Sequence, residues 1–250
     1  MIEAQYLSKK FGTNVVLDDV SFTVQEGQRL VIIGRSGTGK SVLLKHLVLV
    51  GLMEPDQGEV LVNGEKLTGL DERELLRVRS RFGMLFQSAA LFDSLSVAEN
   101  VGFVLQRERK LSPKEVADRV AEALEMVELD GTQDKRPSDL SGGMRKRVGL
   151  ARTIIYHPEI ILYDEPTTGL DPVVSDSIDR LVLRVNEKLK ATTIVVTHDM
   201  RSVRTIAQRV IMLYHGKVYA DTTPEELFAS QDPVIYKFVN GISDAKNNGF

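Results

Sequence analysis

The stretch Gly34-Arg35-Ser36-Gly37-Thr38-Gly39-Lys40-Ser41, called here the phosphate loop, decides the fold of this chain. It fits the pattern G-x-x-x-x-G-K-[ST] and lies between an apolar run at 30–33, which predicts a strand, and one at 42–50, which predicts a helix. Its glycines let backbone N–H groups face phosphate oxygens, Lys40 adds a charge and Ser41 offers a magnesium ligand. The stretch predicts a nucleoside triphosphate site; the alternative is a chance match in a glycine-rich loop.

A second glycine-rich segment follows at 140–147, with the sequence Leu-Ser-Gly-Gly-Met-Arg-Lys-Arg. Ser141 is a favourable helix N-cap, and Gly142 and Gly143 leave backbone N–H groups open to an anion. One nucleotide cannot easily occupy two such sites of one chain, whereas a two-fold dimer brings the second segment of each copy over the phosphate loop of the other. We expect two ATP molecules shared between two copies, and the alternative is an ordinary capped helix start.

Two apolar runs end in side chains suited to phosphate chemistry. Residues 160–163 lead into Asp164 and Glu165, and residues 193–197 lead into His198. We predict Asp164 in the magnesium shell, Glu165 as the group that orients or deprotonates the attacking water, and His198 in contact with the γ-phosphate. The alternatives are a capping acid at a strand end for Glu165 and a structural hydrogen bonder for His198.

Gln87 closes another apolar run, at 84–86. Its uncharged amide can contact magnesium or the attacking water, so we include it among the candidate catalytic and metal-binding residues. An exposed glutamine at a strand end is the alternative.

The order of these motifs resembles that of ATP-binding cassette ATPases, the motor subunits of ABC transporters, over about residues 2–225. Counterparts of the family's motifs, from Walker A to H-loop, lie at 34–41, at Gln87, at 140–144 (the signature segment), at 160–165, at 169–172 (the D-loop) and at His198. The roles that the resemblance implies are phosphate and magnesium binding by Lys40 and Ser41, γ-phosphate sensing by Gln87, closure over the partner's ATP by Ser141 and Gly143, with Gly142 between them, general-base catalysis by Glu165, and contact with the partner subunit by Asp171.

Two positions qualify the resemblance. Phe11 resembles the family's aromatic residue that stacks on adenine, an interaction that contributes about 1–3 kcal/mol; plain packing is the alternative. Met144 stands where the signature usually has glutamine, and the basic run 145–147 follows it. We expect nucleotide closure to survive because the phosphate-facing Ser141 and Gly143 are intact. The surface around Met144 could be adapted to a partner, and the basic run is equally consistent with a solvated helix face.

The resemblance implies an α/β fold: a P-loop NTPase of the ABC type with a RecA-like core, an antiparallel β subdomain and an α-helical subdomain. The residues agree, since 20–24 alternate as a strand, 58–64 read as a hairpin, and 112–115 and 223–226 are helix starts with proline at the first helical position. The expected divisions are an ATPase domain at 2–224, with core and β subdomain at about 2–86 and 158–224 and helical subdomain at about 88–157, and a helical C-terminal tail at 225–250.

A closer resemblance links residues 82–101 and 232–242 to the ATPases of MCE lipid transporters, including the Mla phospholipid system. It implies a homodimer that drives an integral membrane permease. It also implies an MCE-domain lipid-binding protein and a small STAS-type regulatory subunit as partners, and a place on the cytoplasmic face of the inner membrane. The alternatives are a transporter for another cargo and a non-transport ABC ATPase that remodels a soluble partner.

Composition sets further limits. The chain has 250 residues, a formal net charge of −3 and no cysteine, so disulfides and thiolate metal sites are excluded. No apolar run approaches the ~20 residues of a membrane helix, and the first residues lack the basic and apolar regions of a secretory signal. Slight acidity without an aromatic-laced basic stripe argues against nucleic acid as a ligand. We expect a cytoplasmic motor whose membrane work is done by partners.

Overall fold

A computed structural model describes residues 1–48 and 53–243. The predicted helix at 42–50 and the predicted tail at 225–250 extend past these limits. Residues 49–50 of the first prediction and 244–250 of the second therefore lie outside the described residues.

The strands form two sheets in this part of the chain. They are β1 (Ile2–Phe11), β2 (Asn14–Val24), β3 (Arg29–Ile33), β4 (Gln57–Val62), β5 (Glu65–Lys66), β6 (Phe82–Leu85), β7 (Ile160–Asp164), β8 (Thr192–Val196), β9 (Arg209–Tyr214) and β10 (Lys217–Thr222). A four-stranded sheet has the order β2-β1-β4-β5, with antiparallel pairing throughout. This is the antiparallel sheet that the alternation at 20–24 and the hairpin at 58–64 predict.

The six-stranded sheet has the order β10-β9-β3-β8-β7-β6, and its strands run parallel except for β10. Ile32 pairs with Val196, and Val196 pairs in turn with Asp164. On the far side of β7, Leu85 pairs with Tyr163. The carboxyl ends of β3, β8, β7 and β6 therefore lie level with one another at a single edge of the sheet.

The helices are α1 (Lys40–Val48), α2 (Glu72–Arg79), α3 (Val97–Glu108), α4 (Pro113–Met126), α5 (Gly142–Ile154), α6 (Pro172–Leu189), α7 (Met200–Ile206), α8 (Pro224–Ala229) and α9 (Pro233–Val239), with a 3-10 turn at Pro137–Asp139. Local chemistry sets several of their starts. Ser112 and Thr223 each form a capping box with the glutamate three residues on, and a proline follows in the first turn. Both predicted helix starts are confirmed.

The six-stranded sheet separates two apolar cores, because alternate residues of its strands point to opposite faces. Val31 and Ile33 belong to the core shared with α3–α7, whereas Leu30 and Ile32 belong to the core shared with α1 and the four-stranded sheet. Helices cover both faces, as a parallel sheet requires. The predicted α/β architecture is confirmed.

A buried carboxyl group joins α6 to α7. Asp179 is almost fully buried, and one of its carboxylate oxygens accepts a hydrogen bond of 2.7 Å from the Ser202 hydroxyl. Ser202 in turn lies 3.5 Å from the hydroxyl of Thr167, in the loop after β7. Burial raises the pKa of Asp179 to about 6, helped by the nearby negative charges of Asp199 and Asp176.

Among residues 1–48 and 53–243, no helix combines the length and the apolar character needed to span a membrane.

Gly58 offers a test of the four-stranded sheet. It lies in β4 at φ +86°, where an added Cβ would be 2.3 Å from the Gln5 carbonyl oxygen and 2.4 Å from that of Tyr6. We expect Gly58→Ala to add an overpacking cost of about 1–3 kcal/mol to a left-handed backbone cost of about 1–2 kcal/mol. Gly64→Ala is the matched control, since Gly64 has φ +79° with no atom near its Cβ. Urea unfolding measures both, and equal losses would contradict the packing argument.

The Asp179 carboxyl predicts a dependence of stability on pH. Its pKa in the folded state, about 6, exceeds the ordinary value of 3.8. The protonated group therefore contributes to the free energy of unfolding at low pH, and this contribution is lost as the pH rises through 6. Between pH 5 and 8 we expect this group to remove roughly 1.4 kcal/mol from the free energy of unfolding. Asp179→Asn should flatten that slope, whereas Asp118→Asn, at an exposed position of α4, should leave it unchanged. Urea unfolding across this pH range decides, and an Asp179→Asn slope equal to that of the wild type would refute the assignment.

Candidate active site

A cavity of about 960 Å³ opens where β3, β6, β7 and β8 end. It brings together most of the residues that the sequence singled out. Those lining it are Phe11, Arg35, Ser36, Gly37, Gly39, Lys40, Ser41, Gln87, Glu165 and His198. Gly34, Thr38 and Asp164 lie directly behind them, in the phosphate loop and at the end of β7.

The phosphate loop wraps around the ammonium group of Lys40. Lys40 is only 7% exposed, and its Nζ donates hydrogen bonds to the carbonyl oxygens of Gly34 at 2.8 Å and Arg35 at 3.0 Å. Burial lowers the pKa of Lys40, and the charges of Glu165 and Asp164 oppose that shift. Gly34 cannot be replaced without disturbance, since its φ is +156° and a Cβ would lie 2.6 Å from the Leu213 carbonyl oxygen. The loop thus presents a desolvated cation at the start of α1.

Ser41 and Asp164 form a pair of candidate oxygen ligands near that cation. The Ser41 hydroxyl donates a 2.9 Å hydrogen bond to Oδ1 of Asp164, across the gap between α1 and the end of β7. Asp164 is 7% exposed. Hydroxyl and carboxylate oxygens are the donors that Mg²⁺ takes alongside phosphate oxygens and water. Among the described residues, no group of three or more His, Cys, Asp or Glu side chains is arranged so that it could hold a metal ion.

Glu165 connects the end of β7 to His198. Its Oε2 lies 2.8 Å from Nδ1 of His198 and accepts a 3.0 Å hydrogen bond from the Thr168 hydroxyl, while its Oε1 lies 4.0 Å from Nζ of Lys40. The residue adopts φ +50°, a left-handed conformation that costs a non-glycine residue about 1–2 kcal/mol. This turn aims the carboxylate into the cavity. His198, whose side chain is 60% exposed, extends over the same space.

Gln87 and Phe11 lie at the open margins of the cavity. Gln87 is exposed and lies two residues after the end of β6. Phe11 ends β1 and leaves about half of its surface in solvent, with the Lys9 ammonium 5.7 Å from its ring centroid. Neither side chain is committed to packing, so both are free to meet a ligand.

The signature segment and the D-loop lie outside this cavity. Ser141 caps α5 by accepting a hydrogen bond from the Met144 N–H, and Asp171 caps α6 by accepting from the N–H groups of Val173 and Val174. The two helix starts touch, since a Cβ on Gly143 would lie 2.6 Å from Cγ1 of Val174. Ser141, Gly142, Gly143 and Asp171 therefore form a second surface, separate from the cavity of their own chain.

The interpretation of the basic run 145–147 as a solvated helix face is wrong at its centre. Arg145 is exposed, but Lys146 is 6% exposed and donates hydrogen bonds to main-chain carbonyls. Arg147 is half-buried and donates to the Val127 carbonyl and to the side chains of Glu128 and Ser177. Met144 packs against the core beside α5. Helix α5 therefore directs the Lys146 side chain into the protein interior, and the sequence of charges alone cannot show this.

Several residues that line or support the cavity were missed from the sequence. Thr168 donates a hydrogen bond to the Glu165 carboxylate. Part of the C-terminal tail also lines the cavity. The tail residues lining the cavity are Lys237, Phe238, Gly241, Ile242 and Ser243. The Thr168–Glu165 hydrogen bond spans three residues and is therefore local in the sequence, whereas nothing in the tail sequence indicates that the tail lines the cavity. The roles of all these residues toward a nucleotide stay predictions.

Comparison with known proteins identifies relatives of the whole chain. The sequence model of the family described as ABC transporter matches residues 17–168. The chain is 41% identical to the intermembrane phospholipid transport system ATP-binding protein MlaF of Haemophilus influenzae, over 98% of this chain and 92% of that protein. It is also 40% identical to the probable ribonucleotide transport ATP-binding protein mkl of Mycobacterium leprae, over 96% of this chain and 69% of that protein. It spans 66% of the length of the same-named protein of Mycobacterium tuberculosis.

A solved structure supports the fold. A dimeric ATP-binding cassette in a post-hydrolysis state, bound to ADP and Pi, matches this chain with a TM-score of 0.81 at 34% identity. The match covers 90% of this chain and 99% of that one.

Proposed function

The chain belongs to the ABC transporter family of ATP-binding proteins, and from that premise we propose that it is the ATPase subunit of a phospholipid transporter. In this proposal two copies close around two ATP molecules, hydrolyse them with Mg²⁺ and drive a membrane permease. The observation that carries it is the meeting, in one cavity, of a phosphate loop, an oxygen-ligand pair and a Glu165–His198 pair.

Nucleotide binding follows from the donors that the cavity presents. The phosphate loop offers backbone N–H groups at the start of α1, and Lys40 adds its ammonium group. Lys40 can exchange its hydrogen bonds to the Gly34 and Arg35 carbonyls for bonds to phosphate oxygens. Because phosphate oxygens are charged, these bonds are stronger and offset more of the free-energy cost of burying the ammonium group. The half-exposed Phe11 ring offers a stacking surface to adenine.

Magnesium has a place in this proposal beside Ser41 and Asp164, with Gln87 at the margin. The donor set fits, because Mg²⁺ takes one or two protein oxygens together with phosphate oxygens and water. When bound, the ion neutralises charge on the phosphate oxygens. Asp164 holds Ser41 by a hydrogen bond, so both oxygens are already directed to the same point.

In this proposal Glu165 acts on the attacking water. Thr168 and His198 both hold the same carboxylate oxygen, which leaves Oε1 turned toward Lys40 and the cavity. A carboxylate fixed in this way accepts a proton from water or orients it, work that contributes about 10²–10⁴-fold to the rate. His198 keeps most of its surface exposed and can reach a γ-phosphate as well as Glu165.

A dimer explains the position of the signature segment. The N-terminus of α5 is an anion site, yet Ser141, Gly142 and Gly143 do not line the cavity of their own chain. Directly after the D-loop, the first turn of α6 presents Val173, an apolar side chain that is 80% exposed. A second copy that supplies its nucleotide to this surface would satisfy both features, and the similar cassette of known structure is dimeric.

An apolar surface next to Gln87 suits the membrane permease. Phe86, Phe92 and Val104 are exposed, and Phe92 stacks on Phe103 with ring centroids 4.7 Å apart. The buried Asn100 holds this loop by accepting from the Phe92 N–H and donating to three main-chain carbonyls. A preformed apolar loop joined to a catalytic residue is a plausible place to pass force between the cavity and a partner.

Phospholipid is the cargo that we infer from the MlaF protein of Haemophilus influenzae, a relative of which this chain covers 92%. The proposal includes an MCE-domain lipid-binding protein and a small STAS-type regulatory subunit as partners, and a position on the cytoplasmic face of the inner membrane. It also keeps the division into an ATPase domain at 2–224, with a helical subdomain at 88–157, and a tail at 225–250. The second candidate is transport of another cargo, favoured by the name of the mycobacterial relative, a probable ribonucleotide transport protein; a non-transport ABC ATPase is the third.

Replacing Glu165 tests the catalytic assignment. Glu165→Gln keeps the size and hydrogen-bonding shape of the side chain but removes its basicity, so we expect ATP binding to persist and turnover to fall by about 10²–10⁴-fold. A dimer should accumulate with ATP, measurable by light scattering after size exclusion. Glu187→Gln, at an exposed position of α6, is the control and should behave as the wild type. Undiminished hydrolysis by Glu165→Gln would remove Glu165 from this role.

The transport assignment is tested by isolating the complex. We expect the chain, recovered from membranes in mild detergent, to bring a permease and an MCE-domain protein together with extractable phospholipid, identified by mass spectrometry. Recovery of a permease with a different solute-binding protein and no lipid would move the assignment to another cargo. Recovery of soluble partners alone would favour the non-transport ATPase and leave the hydrolysis chemistry in place.

A further inference from the structure

One buried cation near the cavity has no part in the site described above. Lys146 lies in the second turn of α5, the helix that begins at the signature segment, and is 6% exposed. Its Nζ donates to the carbonyl oxygen of Gln87 at 2.5 Å and to that of Glu165 at 3.3 Å. A single ammonium group therefore joins the main chain of both candidate catalytic residues.

The surroundings of Lys146 make this an unusual place for a charge. Burial lowers its pKa, and the charges of Glu165 and Asp164 act in the opposite direction. A buried ammonium is costly unless it is hydrogen-bonded and faces negative charge, and here carbonyl oxygens and carboxylates supply both. Removing it would leave the Gln87 and Glu165 carbonyls without this donor.

The same face of α5 is fastened along its length to the segment that carries Gln87. Thr153 donates to the Met84 carbonyl at 3.2 Å, and a Cβ on Gly149 would lie 2.9 Å from Cδ1 of Leu85. Lys146, Gly149 and Thr153 recur at helical spacing, so they form one stripe against β6 and the loop after it.

Arg152 secures the next part of the loop. It donates to the carbonyl oxygens of Ala89 and Ala90, at 2.7 and 2.8 Å. Both alanines have left-handed backbones, with φ of 60° and 47°, which are costly for residues with a Cβ. The loop is thus held in a strained shape, and α5 provides the bonds that hold it.

We propose that Lys146 is a positioning residue for ATP hydrolysis: it fixes Gln87 and Glu165 relative to each other and ties both to the helix that begins at the signature segment. The inference rests on the proposed function of Glu165 and Gln87. Ser141 lies five residues from Lys146 along α5, about 7.5 Å at the rise of an α-helix. A shift of α5 when the signature segment meets the partner's nucleotide therefore reaches both catalytic main-chain segments of its own chain.

This role separates turnover from binding. The hydrogen bonds of Lys146 described above go to the Gln87 and Glu165 carbonyls, whereas Lys40 is held by the Gly34 and Arg35 carbonyls and Ser41 by Asp164, so these two groups keep their own supports. Glu165 and Gln87 act on the attacking water, whose alignment must hold to a fraction of an ångström in the transition state. Loss of Lys146 should therefore lower kcat while leaving the affinity for ATP in place.

The experiment compares Lys146→Met and Lys146→Arg in the full chain, since methionine keeps the length of the side chain and arginine keeps the donors and charge. We expect Lys146→Met to lower kcat by more than about tenfold with the Kd for ATP changed less than about threefold. Lys146→Arg should recover part of kcat. Hydrogen–deuterium exchange should increase over 86–90 and 163–167 in Lys146→Met, a readout that does not depend on turnover.

Arg147→Met is the matched control, because Arg147 is adjacent on α5 and bonds to Val127, Glu128 and Ser177 instead of the catalytic segments. It should lower thermal stability without changing kcat or exchange at 86–90. A Lys146→Met protein with wild-type kcat overturns the inference. Parallel losses of kcat and stability in both variants overturn it too, by showing a purely structural role. A wild-type chain that binds ATP without hydrolysing it, alone or with its permease, would overturn the proposed function itself.

Discussion

Parallel pairing of β3, β8, β7 and β6 brings four chain turns to the same level at one edge of the sheet. Ile32, Val196 and Asp164 occupy one row of the register, and the ladder extends one step further through the Glu165 N–H to the Val196 carbonyl, at 2.9 Å. A one-residue slip of β7 would exchange the faces of Asp164 and Tyr163 and place a carboxylate in the apolar core. The register therefore fixes the phosphate loop, the Ser41–Asp164 pair and the Glu165–His198 pair together.

Positive and negative side chains are buried close to one another at this edge of the sheet. Two ammonium groups, of Lys40 and Lys146, and two carboxylates, of Asp164 and Glu165, are all buried within a small volume. Burial lowers the pKa of both lysines, and the charges of Glu165 and Asp164 oppose that shift at each of them. The main-chain carbonyls of Gly34, Arg35 and Gln87 complete the coordination of the ammonium groups.

Local features of the sequence predicted local structure well. The capping boxes at Ser112 and Thr223 involve residues three positions apart, so their chemistry is readable from the sequence. The strand ends at Asp164 and His198 were also predictable, because apolar runs followed by polar residues mark the edge of a parallel sheet. Lys146 was not, because its burial depends on carbonyls 59 and 19 residues away. The same holds for Phe238, which reaches the cavity only through the packing of α9. Distance along the chain, more than residue type, separates what could be predicted from what could not.

Gly149 has a mechanical consequence. With no side chain at this position, α5 lies against Leu85 and Ala89 with almost no clearance, so the contact has little compliance. Close-packed interiors transmit strain instead of absorbing it. We therefore expect α5 and β6 to move together as one rigid unit, with their contact at Gly149. This unit joins the signature segment at the start of α5 to the loop that carries Phe86 and Phe92. A larger residue at position 149 would push α5 away from Leu85 and Ala89 and so weaken the mechanical link between the helix and this segment.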